Sequence, residues 1–98
     1  MVNVSEVEIY GIPLEVYQCY GCEGARKLLN SNSIPYTFYD VVRKVDNDLG
    51  FEYDRPRIEE LAKRAGFNSL RIVYPQIFVN GVHIGGYKHL KEILDDLG

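Results

Sequence analysis

The run Gln76-Ile77-Phe78-Val79-Asn80-Gly81-Val82-His83-Ile84 constrains the fold more than any other stretch of the chain. Both flanks are β-prone, and Asn-Gly supplies the two residues that a tight hairpin turn needs at positive φ. An antiparallel hairpin over 76–79 and 82–84 follows. Gly85-Gly86 ends it, and Leu90, Ile93, Leu94 and Leu97 then recur at helical spacing. The spacing predicts a final helix from about Tyr87 to Leu97 with one apolar face.

Upstream, Val7 and Ile9 alternate with Glu6, Glu8 and Tyr10, which predicts a strand with one buried face. Gly11-Ile12-Pro13 breaks it, and residues 14–18 form a loop leading to Cys19. Cys22, Ala25, Leu28 and Leu29 have helical spacing; Asn30-Ser31-Asn32-Ser33 ends that helix and Pro35 prevents its return. Residues 36–42, rich in aromatic and β-branched types, read as one strand. Strand, helix, strand implies a right-handed βαβ unit. Residues 43–54 read as a polar surface loop, kept solvated by Arg43 and Lys44 against Asp46 and Asp48. Asp54 is a helix cap with Pro56 in the first turn. Ile58, Leu61, Ala62 and Ala65 then make an amphipathic helix stopped by Gly66. The order is βαβ, α, ββα, and 98 residues leave room for a single domain over 1–98.

The only two cysteines are Cys19 and Cys22, with two residues between them at a helix start. A net charge of -3 gives no reason to expect nucleic acid or an anionic membrane as partner. The first ten residues carry two glutamates and no apolar run flanked by basic residues, so neither a secretory signal nor a membrane span is expected. The expected compartment is the cytoplasm, where C-x-x-C is catalytic or metal-binding rather than a structural staple. Zinc needs four ligands, and His83 and His89 form no second pair; they are expected on a hairpin face and on the surface of the last helix. Tyr20-Gly21 between the cysteines has no logic as core. A thiol–disulfide centre fits best: Cys19 at the helix N-terminus, where free N–H groups and the dipole favour the thiolate, is the exposed attacker, and Cys22 is the buried resolver.

The run from Val73 to Tyr87, with Tyr74-Pro75 and Gly85-Gly86, resembles the C-terminal signature of glutaredoxins, and the approach from Tyr10-Gly11 to Cys19 is similar to that of the small phage-encoded glutaredoxins or thioredoxins. The resemblance implies an α/β thioredoxin fold, a four-stranded mixed sheet flanked by helices on both faces. It implies catalytic Cys19 and Cys22, a cis bond before Pro75, and glutathione bound by Tyr20, Tyr74, Pro75, Gly85, Gly86, Tyr87 and Lys88, with Arg71 or Lys63 on its glycine carboxylate. Glutathione is then a co-substrate and no cofactor is bound. Implied partners are disulfide-containing proteins, ribonucleotide reductase among them, and a flavoprotein reductase; the chain is expected to be a monomer. The alternatives are a [2Fe–2S] cluster-binding dimer and a redox-inactive binding module on the same fold. Three positions depart from the family: Tyr20-Gly21 replaces proline-tyrosine, Val73 replaces a threonine or serine, and Lys88 replaces an aspartate.

Overall fold

A computed structural model describes residues 4–97, without the side chain of Leu97. Its elements are β1 (Val7–Gly11), α1 (Tyr20–Ser31), β2 (Tyr36–Asp40), β3 (Val42–Lys44), β4 (Phe51–Tyr53), α2 (Arg55–Ala65), β5 (Gln76–Val79), β6 (Val82–Gly85) and α3 (Tyr87–Leu97). The main sheet has the order β2-β1-β5-β6. β1 pairs parallel with β2 and antiparallel with β5, and β5 pairs antiparallel with β6. Asn80 and Gly81 both have positive φ, as the sequence required of that turn. The architecture is the mixed four-stranded sheet of the thioredoxin fold. Residues 1–3 and 98, which belong to the expected single domain and to the reading of the N-terminus, lie outside the described residues.

The strands alternate between two cores. Val7, Ile9, Ile77 and Val79 face Ala25 and Leu29 of α1 and Leu90 and Leu94 of α3. Tyr10 and Phe78 face Val41 and, on α2, Ile58 and Leu61. Leu29 and Leu61 are wholly buried, and truncating either to alanine would cost about 2–5 kcal/mol through lost transfer energy and the cavity left behind. β1 therefore buries both faces, where alternation predicted one. The reason is position: β1 is an interior strand with helices on either side, and Tyr10 is 1% exposed. Its hydroxyl donates to Glu60 Oε2 and accepts from Arg64 Nη1, each at 2.9 Å, so the phenol is buried without losing its bonds.

Residues 43–54 are not a loop. β3 and β4 form a separate antiparallel hairpin, with Arg43 opposite Glu52. Arg43 pairs with Glu52 at 2.7 Å and Asp54 at 3.6 Å. Asn47 builds the turn: Oδ1 accepts from Leu49 N–H and Gly50 N–H, and Nδ2 donates to Phe51 O. The strand expected over 36–42 accordingly splits at Val41. Its N–H still donates to Gly11 O, but its carbonyl accepts from Asp54 N–H, which turns the chain into the hairpin. The α2 signals hold as read: Asp54 Oδ1 accepts from Arg57 N–H, and Gly66 takes the left-handed conformation with φ 77°.

Candidate redox site

Four segments converge on the cysteines: the end of β1, the start of α1, the residues before β5, and the β6–α3 junction. Cys19 is the N-cap of α1 in an extended conformation (φ -99°, ψ 101°). Its Sγ accepts from Cys22 N–H at 3.3 Å, the bond an N-cap side chain makes to the third helical residue. Cys19 and Cys22 form a disulfide with Cα atoms 5.3 Å apart. Cys19 keeps 8% exposure and Cys22 none. The expected order of exposure is present, but Cys19 is a largely covered residue rather than an open one. Its sulfur is bonded to Cys22 and lies 3.9 Å from the carbonyl oxygen of Tyr74.

Glycines set how closely these segments approach. A Cβ on Gly11 would come within 2.8 Å of Phe38 Cζ and 3.0 Å of Cys22 Sγ, so the end of β1 passes directly against the buried sulfur. A Cβ on Gly21 would meet Pro75 Cδ at 2.8 Å. The departure from the family's tyrosine at this position thus has a local reason, because the N-terminus of α1 rests on the proline ring. A Cβ on Gly24 would meet the Tyr87 ring at 2.8 Å, which places that aromatic side chain against α1.

The Tyr74–Pro75 peptide is cis. Pro75 is buried and its carbonyl oxygen lies 3.5 Å from where a Gly86 Cβ would sit. Gly86 O accepts from Leu90 N–H, which makes Gly86 the residue capping α3. Gly85 has φ 104°, and His89 Nδ1 lies 2.8 Å from where its Cβ would be. Gly86, Tyr87 and Lys88 therefore present the free N–H groups of a helix start near Pro75. Lys88 is exposed there, where a cation opposes the positive end of the helix.

Tyr20 is 77% exposed beside the disulfide, and Val73 is exposed next to Tyr74. Tyr74 is half-buried; burial lifts its phenol above the ordinary tyrosine range, with Tyr53 adding to the shift. Tyr74 and Arg71 line a cleft of about 570 Å³ together with Ile12, Tyr53, Arg55 and Ile58. Lys63, the alternative to Arg71, is exposed on α2 and does not line it. His83 is half-buried against Phe78 and Phe67 and bonds Gln76 Oε1 at 2.7 Å, while His89 is exposed on α3. Among the described residues no three His, Cys, Asp or Glu side chains group to hold a metal, and no helix is long and apolar enough to cross a membrane.

Sequence reasoning missed Gly11, Gly24 and Tyr53. Their residue types were visible, but nothing in the local pattern says which distant segment each would meet.

No family model matches the chain. It is 50% identical over 94 residues to an uncharacterised 11.8 kDa protein of enterobacteria phage T4 from the Gp55–nrdG intergenic region, covering 96% of this chain and 89% of that one. It is 28% identical over 87 residues to the phage T4 glutaredoxin, covering 87% and 94%. Among solved structures it superposes on Francisella tularensis glutaredoxin 1 with a TM-score of 0.61 at 23% identity, covering 94% of each chain. Reduced Escherichia coli glutaredoxin gives 0.57 at 25% identity over 93% and 94%, and buckwheat glutaredoxin in its glutathione complex gives 0.60 at 19% over 92% and 68%. With a paired Cys19 and Cys22 on the thioredoxin fold and the phage T4 glutaredoxin among its distant sequence relatives, the chain is a glutaredoxin-like domain whose cysteine pair supports thiol–disulfide oxidoreductase chemistry.

Proposed function

We propose that Cys19 is the nucleophile of a glutathione-coupled disulfide reductase and Cys22 its resolving thiol. One observation carries this reading. Cys19 Sγ sits at the N-cap of α1, accepts from Cys22 N–H, and lies beside the Tyr74 carbonyl. In the reduced protein the same N–H and the helix N-terminus stabilise a Cys19 thiolate. The thiolate attacks one sulfur of a substrate disulfide. A mixed disulfide forms, and the other sulfur departs as a thiolate that takes up a proton. Cys22 then loses its proton and attacks Cys19 Sγ, releasing the second substrate thiol and closing the Cys19–Cys22 bond. Two electrons pass from the dithiol to the substrate. Two molecules of glutathione return them in two exchanges and leave as glutathione disulfide.

Glutathione fits the groups around the sulfur. Its cysteinyl backbone can pair with the main chain of Tyr74 before Pro75, in the manner of an added strand. Its γ-glutamyl carboxylate suits the N–H groups of Gly86, Tyr87 and Lys88 beyond Gly85, with the Lys88 ammonium beside them. Arg71, beside Tyr74, suits the glycine carboxylate, and Tyr20 stands in for the missing tyrosine wall. The buckwheat complex supports glutathione as partner for this fold. Ribonucleotide reductase is a protein client suggested by the gene neighbourhood in the name of the phage T4 relative.

The test is an NADPH-coupled assay with glutathione plus glutathione reductase, and separately with a thioredoxin reductase, on wild type and Cys22→Ser. Turnover with glutathione by wild type supports the reading. Full activity in a Cys19→Ser protein sinks it.

A further inference from the structure

The cleft beside Tyr74 is larger than exchange at one sulfur requires. It holds about 570 Å³ and is lined by Tyr53 of the hairpin, Arg55 at the start of α2, and Arg71 and Tyr74 ahead of β5. A second hollow of about 260 Å³ shares Ile12 and Tyr53 with it and reaches Tyr17 and Phe51. Tyr53 and Tyr17 are 62% and 66% exposed, so the floor is apolar and open to a partner. The rim is positive in a chain of net charge -3. Arg55 uses Nε for Glu59 at 3.1 Å, leaving its terminal nitrogens free of other ion pairs among the described residues, and Arg71 has no ion pair there.

Building on the oxidoreductase reading, we infer that this cleft holds an extended segment of the protein substrate beside its reacting cysteine, with apolar side chains on the Ile12 and Tyr53 floor and a carboxylate facing Arg55. Tyr74 joins the two parts of the event, because its carbonyl lies against Cys19 Sγ and its side chain lines the cleft. Glutathione also carries carboxylates, but the apolar floor continues past Tyr53 into the second hollow with Tyr17 and Phe51, a length that suits a longer chain. Tyr53 ends the β4 strand of the hairpin and Arg55 begins α2. The β3–β4 hairpin is then a specificity wall.

The probe is a pair of synthetic peptides, each a mixed disulfide with a small uncharged thiol, carrying either glutamate or lysine next to apolar residues near the cysteine. Wild type is expected to reduce the glutamate peptide with a kcat/KM about fivefold higher, the size of a partly exposed charge contact. Arg55→Glu is expected to abolish or reverse that preference while leaving reduction of a small uncharged dialkyl disulfide unchanged. Equal kcat/KM for both peptides with wild type overturns the proposal. So does a preference that survives Arg55→Glu and disappears only in Arg71→Glu, which assigns the charge to glutathione's site. If wild type reduces no disulfide at all, the oxidoreductase reading has failed. Fluorescence anisotropy of labelled peptides on the Cys19→Ser/Cys22→Ser protein then decides the cleft alone: tighter binding of the glutamate peptide supports it, and equal binding ends it.

Discussion

Gly21 of α1 lies so close to Pro75 that a methyl group on it would stand 2.8 Å from the proline Cδ. The two residues lock the start of the cysteine-bearing helix to the turn that carries Tyr74.

Gly21→Ala pits two effects against each other. Helix propensity would gain up to about 1 kcal/mol. Overpacking against a rigid ring costs about 1–3 kcal/mol, and wins. Gly24→Ala makes an equally short contact, but with the outer edge of the Tyr87 ring, which can swing aside. Urea unfolding should therefore show Gly21→Ala destabilised by about 1 kcal/mol and Gly24→Ala near wild type. Only Gly21→Ala should also slow disulfide reduction, since it displaces the helix start from Pro75.

Cysteine replacements separate the two proposed thiol roles. Cys19→Ser should lose both protein-disulfide reduction and deglutathionylation, by about 10³-fold or more for loss of the attacking group. Cys22→Ser should keep deglutathionylation, which needs one thiol, and lose reduction that requires release of a bound protein. Assays on the two substrate types check this, and mass spectrometry should find a trapped mixed disulfide only in Cys22→Ser.

Acid stability should depend on Glu8 and Arg64. Arg64 Nη1 and Nη2 bond the two Glu8 oxygens at 2.9 and 3.0 Å, and the guanidinium lies 4.0 Å from the centre of the Phe78 ring. The Arg64 hydrogen bonds hold the Glu8 carboxyl below its ordinary value of 4.5, against the opposing pull of burial. A lowered folded pKa means the unfolded chain binds the proton more readily. The stabilisation is therefore complete above about pH 4.5 and lost as pH falls through the folded value. Arg64→Met should cost about 1.5–3 kcal/mol at pH 7, the range for hydrogen bonds to a charged group, and flatten this acid limb in unfolding curves taken from pH 6 to 2.

His83 should act in the neighbouring pH range. Burial, and then His89, lower its pKa from 6.5. The folded state resists protonation that the unfolded chain accepts. Stability is thus unaffected above pH 6.5 and falls as pH drops below it, until the folded value is passed. His83→Gln should remove the slope between pH 6.5 and 5 in thermal denaturation, while His89→Gln should reduce it only slightly.

Much of the architecture was legible locally. Asn80-Gly81 named a turn with two positive φ values, Asp54 and Gly66 bounded α2, and Cys19 fell at the cap of α1, because each depends on contacts within a few residues. The strand-like hairpin over 42–53 was not legible. Its pairing rests on an Asn47 side-chain turn and an Arg43–Glu52 cross-strand pair, within a segment whose polarity resembles that of a loop.

The sequence by itself determined the chemistry: two cysteines with two residues between them, at a helix start, in a chain with no other cysteine. Only the tertiary structure decided what surrounds them. Gly11 against Cys22, Gly21 against Pro75, Tyr74 against Cys19, and Tyr53 across the cleft each join residues far apart in the chain. Such contacts follow from sheet order and helix packing, which local propensity and spacing do not encode.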